Sequence, residues 1–160
     1  RSQTGSDHIM ERSSQYFVFG LEDQRYALAL AAVLRVIRAV ELTYLPDAPD
    51  NLVGLLNMGG EILPVLNIRR RFSLAHRDVE IDDRIVICKA GARTVAFITD
   101  MVVGVVELTS EEVDEAVRIL PEMAPFIEGV GKLDDNTVLI YDLNRLFSIQ
   151  EIEGLVIQPS

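Results

Sequence analysis

The sequence predicts a mainly β protein made of two pseudo-duplicated five-stranded β-barrels packed together, with a few short helices. Three observations predict it. Strand-length runs of apolar and β-branched residues, separated by turn residues, fill the chain from Tyr16 onward. Helical signals are short and few. The pattern of strands and turns also occurs twice, in repeats at about residues 16–74 and 84–149. A repeat of ~70 residues is too small to leave an open sheet without exposed edges, and closure into a barrel removes them.

The expected strands, in order, are Tyr16 to Gly20, Tyr26 to Leu30, Val33 to Arg38, Leu52 to Leu56 and Ile62 to Leu66 in the first repeat. Arg84 to Cys88, Thr94 to Thr99, Val102 to Leu108 and Thr137 to Tyr141 follow in the second. Turns are signalled by Glu22-Asp23, Gly59-Gly60, Ala90-Gly91 and Asp134-Asp135-Asn136, residue types that tolerate positive φ or bond their own backbone. Two helical turns are predicted. Thr109-Ser110-Glu111-Glu112 reads as an N-cap with acids in the first turn of a helix running toward Val117. Ile68 to Leu74 reads as a second, following the strand that ends the first repeat.

The duplication aligns without gaps in two stretches. Residues 17–25, FVFGLEDQR, lie over 85–93, IVICKAGAR, at an offset of 68. Residues 52–74 lie over 127–149 at an offset of 75, matching Gly54 with Gly129, Arg70 with Arg145, and Phe72-Ser73 with Phe147-Ser148.

Composition bounds the function. The chain has 160 residues, 15 Lys and Arg against 25 Asp and Glu, and a formal charge of −10. An acidic chain with two lysines lacks the basic surface that nucleic acid or an anionic membrane requires. The longest apolar run, Tyr26 to Leu34, stops after nine residues at Arg35, well short of the ~20 of a membrane helix. The single cysteine, Cys88, forms no internal disulfide, which fits a reducing, cytoplasmic setting. Residues 1–9 read as vector-derived sequence ahead of an initiator at Met10, so the expected organisation is one domain over residues 10–150 and a tail over 151–160.

The inventory of reactive groups gives no catalytic constellation. With residues 1–9 set aside, His76 is the one histidine; it lies in the polar stretch between the repeats, no GxSxG is present, and Cys88 sits mid-strand. Zinc needs several His or Cys ligands, and the acidic runs lack the spacing of a calcium loop. Gly129-Val130-Gly131-Lys132 lacks the first Gly and the Ser or Thr of a phosphate loop, and reads as a bend entering a strand. Arg69-Arg70-Arg71 reads as a solvated helix face, or as a contact for an acidic partner. No catalytic residue, metal site or cofactor is expected, and the profile is that of an interaction protein whose barrel edges or inter-barrel groove receive a partner.

Residues 54–72 carry a recognisable pattern. Gly54-Leu55-Leu56-Asn57-Met58-Gly59-Gly60, then Ile62-Leu63-Pro64-Val65-Leu66-Asn67-Ile68-Arg69 and Phe72, resembles the signature of the CheW family of chemotaxis coupling proteins, usually G-V-x-N-L-R-G-x-I-x-P-V-x-D-L-R-x-x-F. The resemblance extends over about residues 16–149 and implies twin five-stranded SH3-like barrels. It also implies a cytoplasmic, non-enzymatic adaptor between a chemoreceptor cytoplasmic tip and the regulatory domain of a sensor histidine kinase. By position, the kinase-binding residues implied are Val33, Arg35, Val36, Ile37, Asn57, Met58, Gly59 and Gly60. The receptor-binding residues implied, in a groove between barrels, are Ile68, Phe72, Val102, Val103 and Val105. Three positions depart from the family pattern: Gly59 replaces its usual Arg, Arg35 a frequent Glu, and Asn67 its Asp. The first two exchange both members of an opposite-charge pair together, so neither charge is stranded, and partner choice is expected to be altered. The alternatives are an adaptor that binds one of the two partners, and a small-ligand-binding β-barrel with a polar-lined pocket.

Overall fold

The computed structural model describes residues 13–115 and 127–147. Eleven strands form among them, β1 (Ser13–Leu21), β2 (Gln24–Ala29), β3 (Val33–Arg38), β4 (Leu52–Met58), β5 (Glu61–Leu66), β6 (Arg84–Ala90), β7 (Arg93–Thr99), β8 (Met101–Thr109), β9 (Val113–Glu115), β10 (Gly129–Leu133) and β11 (Asn136–Ile140). Two four-residue helices, α1 (Ile68–Arg71) and α2 (Leu143–Leu146), follow β5 and β11. Asn67 caps α1 by accepting the Arg70 N–H at 3.1 Å, and Asp142 caps α2 by accepting the Asn144 N–H at 2.9 Å.

The strands make two sheets, ordered β3-β6-β7-β5-β4 and β8-β1-β2-β11-β10-β9. The repeat is visible in this order, but neither sheet is one repeat. If β1, β2, β3, β4 and β5 are matched to β6, β7, β8, β10 and β11, one order becomes the other, with β9 added. Each sheet takes the leading hairpin of one repeat and the remaining strands of the other. As a result the first barrel is the continuous stretch from β3 to β7, inserted between β2 and β8 of the second.

Pairing fixes the offset of the leading hairpins. Leu21 pairs with Gln24 and Ala90 with Arg93, so the hairpins correspond at 69 rather than the 68 read from the letters. At that offset the parallel pair Val65–Ala96 has its mate in Ile140–Ala27. The bulge between Val33 and Arg35 in β3 likewise recurs in β8 opposite Val18 and Phe19. A bulge shared at one register position bends both strands alike. The matched glycines also have one cause. A Cβ on Gly54 would stand 2.9 Å from the Thr43 carbonyl oxygen, and one on Gly129 3.0 Å from that of Asp114. In both barrels the neighbouring backbone has come too close for a side chain: Thr43 bridges Leu55 just as Asp114 pairs with Val130.

Alternation puts the two faces of β1 and β6 into different cores. Ile85 and Ile87 enter the first barrel with Leu42, Leu56, Leu63, Val65 and Ala96. Val18 enters the second with Ala27, Leu108, Val138 and Ile140. Phe17, Phe19, Leu21, Val86, Cys88 and Phe97 form a third layer between barrels, closed by Ile68 and Phe147. Two barrel interiors therefore flank a shared core.

Two local expectations are corrected. Thr109 to Glu112 forms a turn into β9, not a helix; Glu112 Oε1 accepts the Thr109 N–H at 2.8 Å, an interaction that a turn and a capped helix start share. Val113–Glu115 of that expected helix form β9, and its residues 116–117 lie outside the described residues, as do residues 1–9, Ser148 and the 151–160 tail. Gly129-Val130-Gly131-Lys132 is not a bend but strand β10 itself, with Gly129 and Gly131 both buried.

Candidate partner-binding surfaces

β3 lies at the end of its sheet, so one side of its backbone has no strand partner there. Its side chains divide between core and solvent. Ile37 packs toward the first barrel's interior and Val33 toward the inter-barrel layer. Arg35 and Val36 are exposed, with Leu34 on the bulge 49 % exposed beside them. Neither Arg35 nor Arg38 makes an ion pair with a described residue. An apolar strip with two cations that make no ion pair among the described residues is, on an acidic protein, a surface on which an acidic partner is favoured.

The β4–β5 turn presents backbone rather than side chains. Gly59 and Gly60 have φ of 62° and 92°, and the Asn57 side chain closes the turn by accepting the Gly60 N–H at 3.1 Å. Met58 packs on the first barrel's core. The kinase-side residues implied by sequence thus separate into exposed Arg35, Val36, Asn57, Gly59 and Gly60 and inward-turned Val33, Ile37 and Met58.

The receptor-side set separates too. Ile68 is 2 % exposed and offers no surface to a partner; it anchors α1 in the inter-barrel layer. Phe72 is half-buried at the edge of that layer, stacked on Tyr26 with ring centres 4.3 Å apart and tilted against Tyr141 at 4.8 Å. Burial pushes the Tyr141 hydroxyl up to about 12, so both tyrosines are neutral near pH 7. Val102 borders the same layer, whereas Val103 turns to the second barrel's core. Val105 is 54 % exposed. By the offset of 69, Val102 and Val105 are the mates of Val33 and Val36, so the two implied surfaces are equivalent edges of the two barrels. Leu34, Tyr44 and Ile62, at 49 %, 61 % and 54 % exposure, extend the apolar surface of the first barrel; Leu34 lies within the strand implied by sequence, and Tyr44 and Ile62 lie outside the implied residues. A bulge exposes Leu34 and a bridging loop exposes Tyr44, and neither feature has a sequence signal.

Arg69 is not on a solvated face. Its guanidinium reaches Asp100 Oδ1 at 2.9 Å, Glu22, and the Ala75 carbonyl oxygen at 2.9 Å. Arg77 joins the same cluster, at 2.8 Å from Asp83, 2.5 Å from Asp100 and 2.8 Å from Glu80. The Asp83 hydrogen bond, with those to Asp100 and Glu80, pushes the Arg77 guanidinium above its usual range against the effect of burial. Beside this cluster lies a cleft of about 600 Å³ lined by Tyr44, Pro49, Val53, Val79 and Ile98. Its Arg69, Arg77, Asp83 and Asp100 are engaged with one another, which leaves a small ligand little to bond.

Reactive chemistry has no centre among the described residues. Burial pushes the Cys88 thiol up to about 12, where it is a poor nucleophile at neutral pH. His76 is exposed and meets Asp78 at 3.2 Å. No cluster of three His, Cys, Asp or Glu suited to a metal occurs among the described residues, and no helix among them is long and apolar enough to cross a membrane.

Comparison with known proteins places the fold. The family model described as a CheW-like domain matches residues 15–151. The chain belongs to the CheW family. Among CheW relatives, the chemotaxis protein CheW of Treponema pallidum is 24 % identical over 152 residues, covering 92 % of this chain and 89 % of that protein. That of Klebsiella aerogenes is 25 % identical, covering 86 % and 84 %. The crystal structure of the scaffolding protein TtCheW from Thermoanaerobacter tengcongensis superposes with a TM-score of 0.75 at 27 % identity, covering 86 % of this chain and 94 % of that one. CheW membership and this superposition agree with the paired barrels expected from the duplication and with the SH3-like form implied by the resemblance.

Proposed function

We propose that this protein is a chemotaxis coupling adaptor that works by binding, without catalysis, in the cytoplasm. It joins the regulatory domain of a sensor histidine kinase to the cytoplasmic tip of a chemoreceptor, and residues 10–150 act as one unit. The observation that carries the reading is the pair of equivalent edge strands: β3 and β8 end their sheets and expose Val36 and Val105 at matched positions. Two like edges on one molecule suit a bridge between two partners.

On this reading Arg35, Val36 and the Asn57 to Gly60 turn meet the kinase, with Val33, Ile37 and Met58 holding them from beneath. Val105, with Val102 and Phe72 at the inter-barrel layer, meets the receptor; Val103 and buried Ile68 support that surface. Arg35 favours a kinase whose facing charge is negative, and Gly59 brings no cation of its own to that surface.

The test is gel filtration of the protein with its cognate kinase regulatory domain and a receptor cytoplasmic hairpin, singly and together. A ternary complex is expected. Arg35→Glu is expected to weaken kinase binding about tenfold, in line with charge reversal at an interface. Absence of binding to either partner overturns the reading, binding to one partner alone establishes the one-partner adaptor, and unchanged affinity after Arg35→Glu removes β3 from the interface.

A further inference from the structure

The chain passes between barrels twice. One passage is the 3-10 turn Leu30–Ala32, which bears no charge; the other is the single residue Asp100, between Thr99 of β7 and Met101 of β8. The two passages occupy matched places in the repeats but are built differently. Asp100 is the centre of the ionic cluster described above. Its Oδ2 accepts the Glu22 N–H at 2.8 Å, from the β1–β2 turn of the second barrel. Its Oδ1 accepts from Arg69 on α1 and from Arg77 in the linker, both belonging to the first barrel. The Thr99 hydroxyl donates to the Gly20 carbonyl at 2.8 Å beneath it. Arg77 in turn holds Asp83, 3 % exposed, whose other oxygen accepts the Glu80 N–H at 2.7 Å and folds the linker against the passage.

We infer that Arg77 and Asp100 form a latch on one of the two inter-barrel passages and are positioning residues for the angle between barrels. Angles between packed bodies change at a few connecting residues, and this cluster ties all the chain segments that meet at one of them. A guanidinium fork bonds several carboxylates at fixed angles; an ammonium cannot. Specific geometry, rather than local positive charge alone, therefore sets the angle. The inference concerns the isolated protein and stands whether or not the coupling function does.

The test is the spin–spin distance between labels at Glu61→Cys on the first barrel and Asn136→Cys on the second, both exposed matched sites. Cys88 is buried with its thiol pushed up to about 12 and takes no label. Arg77→Met is expected to broaden the distance distribution about twofold, Arg77→Lys to give an intermediate width, and the exposed control Arg70→Met to leave it unchanged. Asp100→Asn, milder, is expected to broaden it as well and replaces Arg77→Met should that variant not fold. A distribution of unchanged mean and width in the folded variant overturns the latch. So does full recovery by Arg77→Lys, which would reduce Arg77 to a point charge.

Discussion

At the scale of single residues, Asp83 and His76 show how burial decides the worth of a charge. Asp83 is 3 % exposed and engages Arg77 and the Glu80 N–H, so removing it takes one of three carboxylates from Arg77 and leaves the Glu80 N–H without its acceptor. Asp83→Ala is expected to cost about 1.5–3 kcal/mol, the range for losing buried hydrogen bonds to a charged group. His76→Ala removes an exposed contact to Asp78, worth less than ~0.5 kcal/mol. Urea titration of both variants checks the contrast. Cys88 gives a pH prediction. Its thiol rises from an ordinary 9.0 to about 12 in the fold, so the folded state keeps a proton that the unfolded chain releases. The stabilisation is complete below pH 9 and is lost as pH rises toward 12, at about 1.4 kcal/mol per pH unit. Urea midpoints from pH 8 to 11 for the wild type and Cys88→Ala should converge if this holds, with the slope of the variant the shallower.

Residue-scale chemistry was legible where it depends on type and illegible where it depends on distance along the chain. The helix expected from Ile68 to Leu74 forms over Ile68–Arg71, started by an Asn67 cap three residues before its partner. Arg69 looked solvated because Asp100 and Glu22 lie 31 and 47 residues away, and no local pattern announces them.

At the scale of elements, four two-residue hairpin turns each begin with positive φ, at Glu22 (54°), Gly59 (62°), Gly91 (64°) and Asp134 (56°). Such turns match strand twist, and glycine adopts them without steric cost. Asp134→Gly is therefore expected to raise stability by up to about 1 kcal/mol, and Gly59→Val to lower it by about 1–2 kcal/mol. Thermal unfolding of the pair reads both signs. Gly54→Ala is expected to cost about 1–3 kcal/mol, because the Cβ meets the Thr43 oxygen at 2.9 Å and backbone must move. β3 has the bounds expected for it, a strand-length run of β-branched and apolar residues that ends at a charge, Arg38. β10 was misread, since two glycines look like a bend until their partners β9 and β11 are known. The turn at Thr109 was misread because an acid after Thr serves a helix cap and a tight turn equally.

For the whole molecule, the duplication was legible and its consequence was not. Matching residues 52–74 with 127–149 located the repeated strand, turn and helix, and both helices form where it implies. The exchange of leading hairpins is a statement about pairing between distant strands, which no periodicity reports. It explains why a core of Phe17, Phe19, Val86 and Phe97 lies between the barrels, and why β3 and β8 become matched edges. The candidate site was legible as a stretch of chain but not as a surface, because bulges and inward alternation decide which residues of β3 and β8 reach solvent.

The most direct measurement of the coupling account is the affinity of kinase regulatory domain and of receptor hairpin for Val36→Asp and Val105→Asp, matched substitutions on matched edges. The account predicts a crossed result: Val36→Asp loses about tenfold or more toward the kinase and keeps the receptor, and Val105→Asp does the reverse. If both variants bind both partners as the wild type does, the edges do not carry the coupling and the account is contradicted.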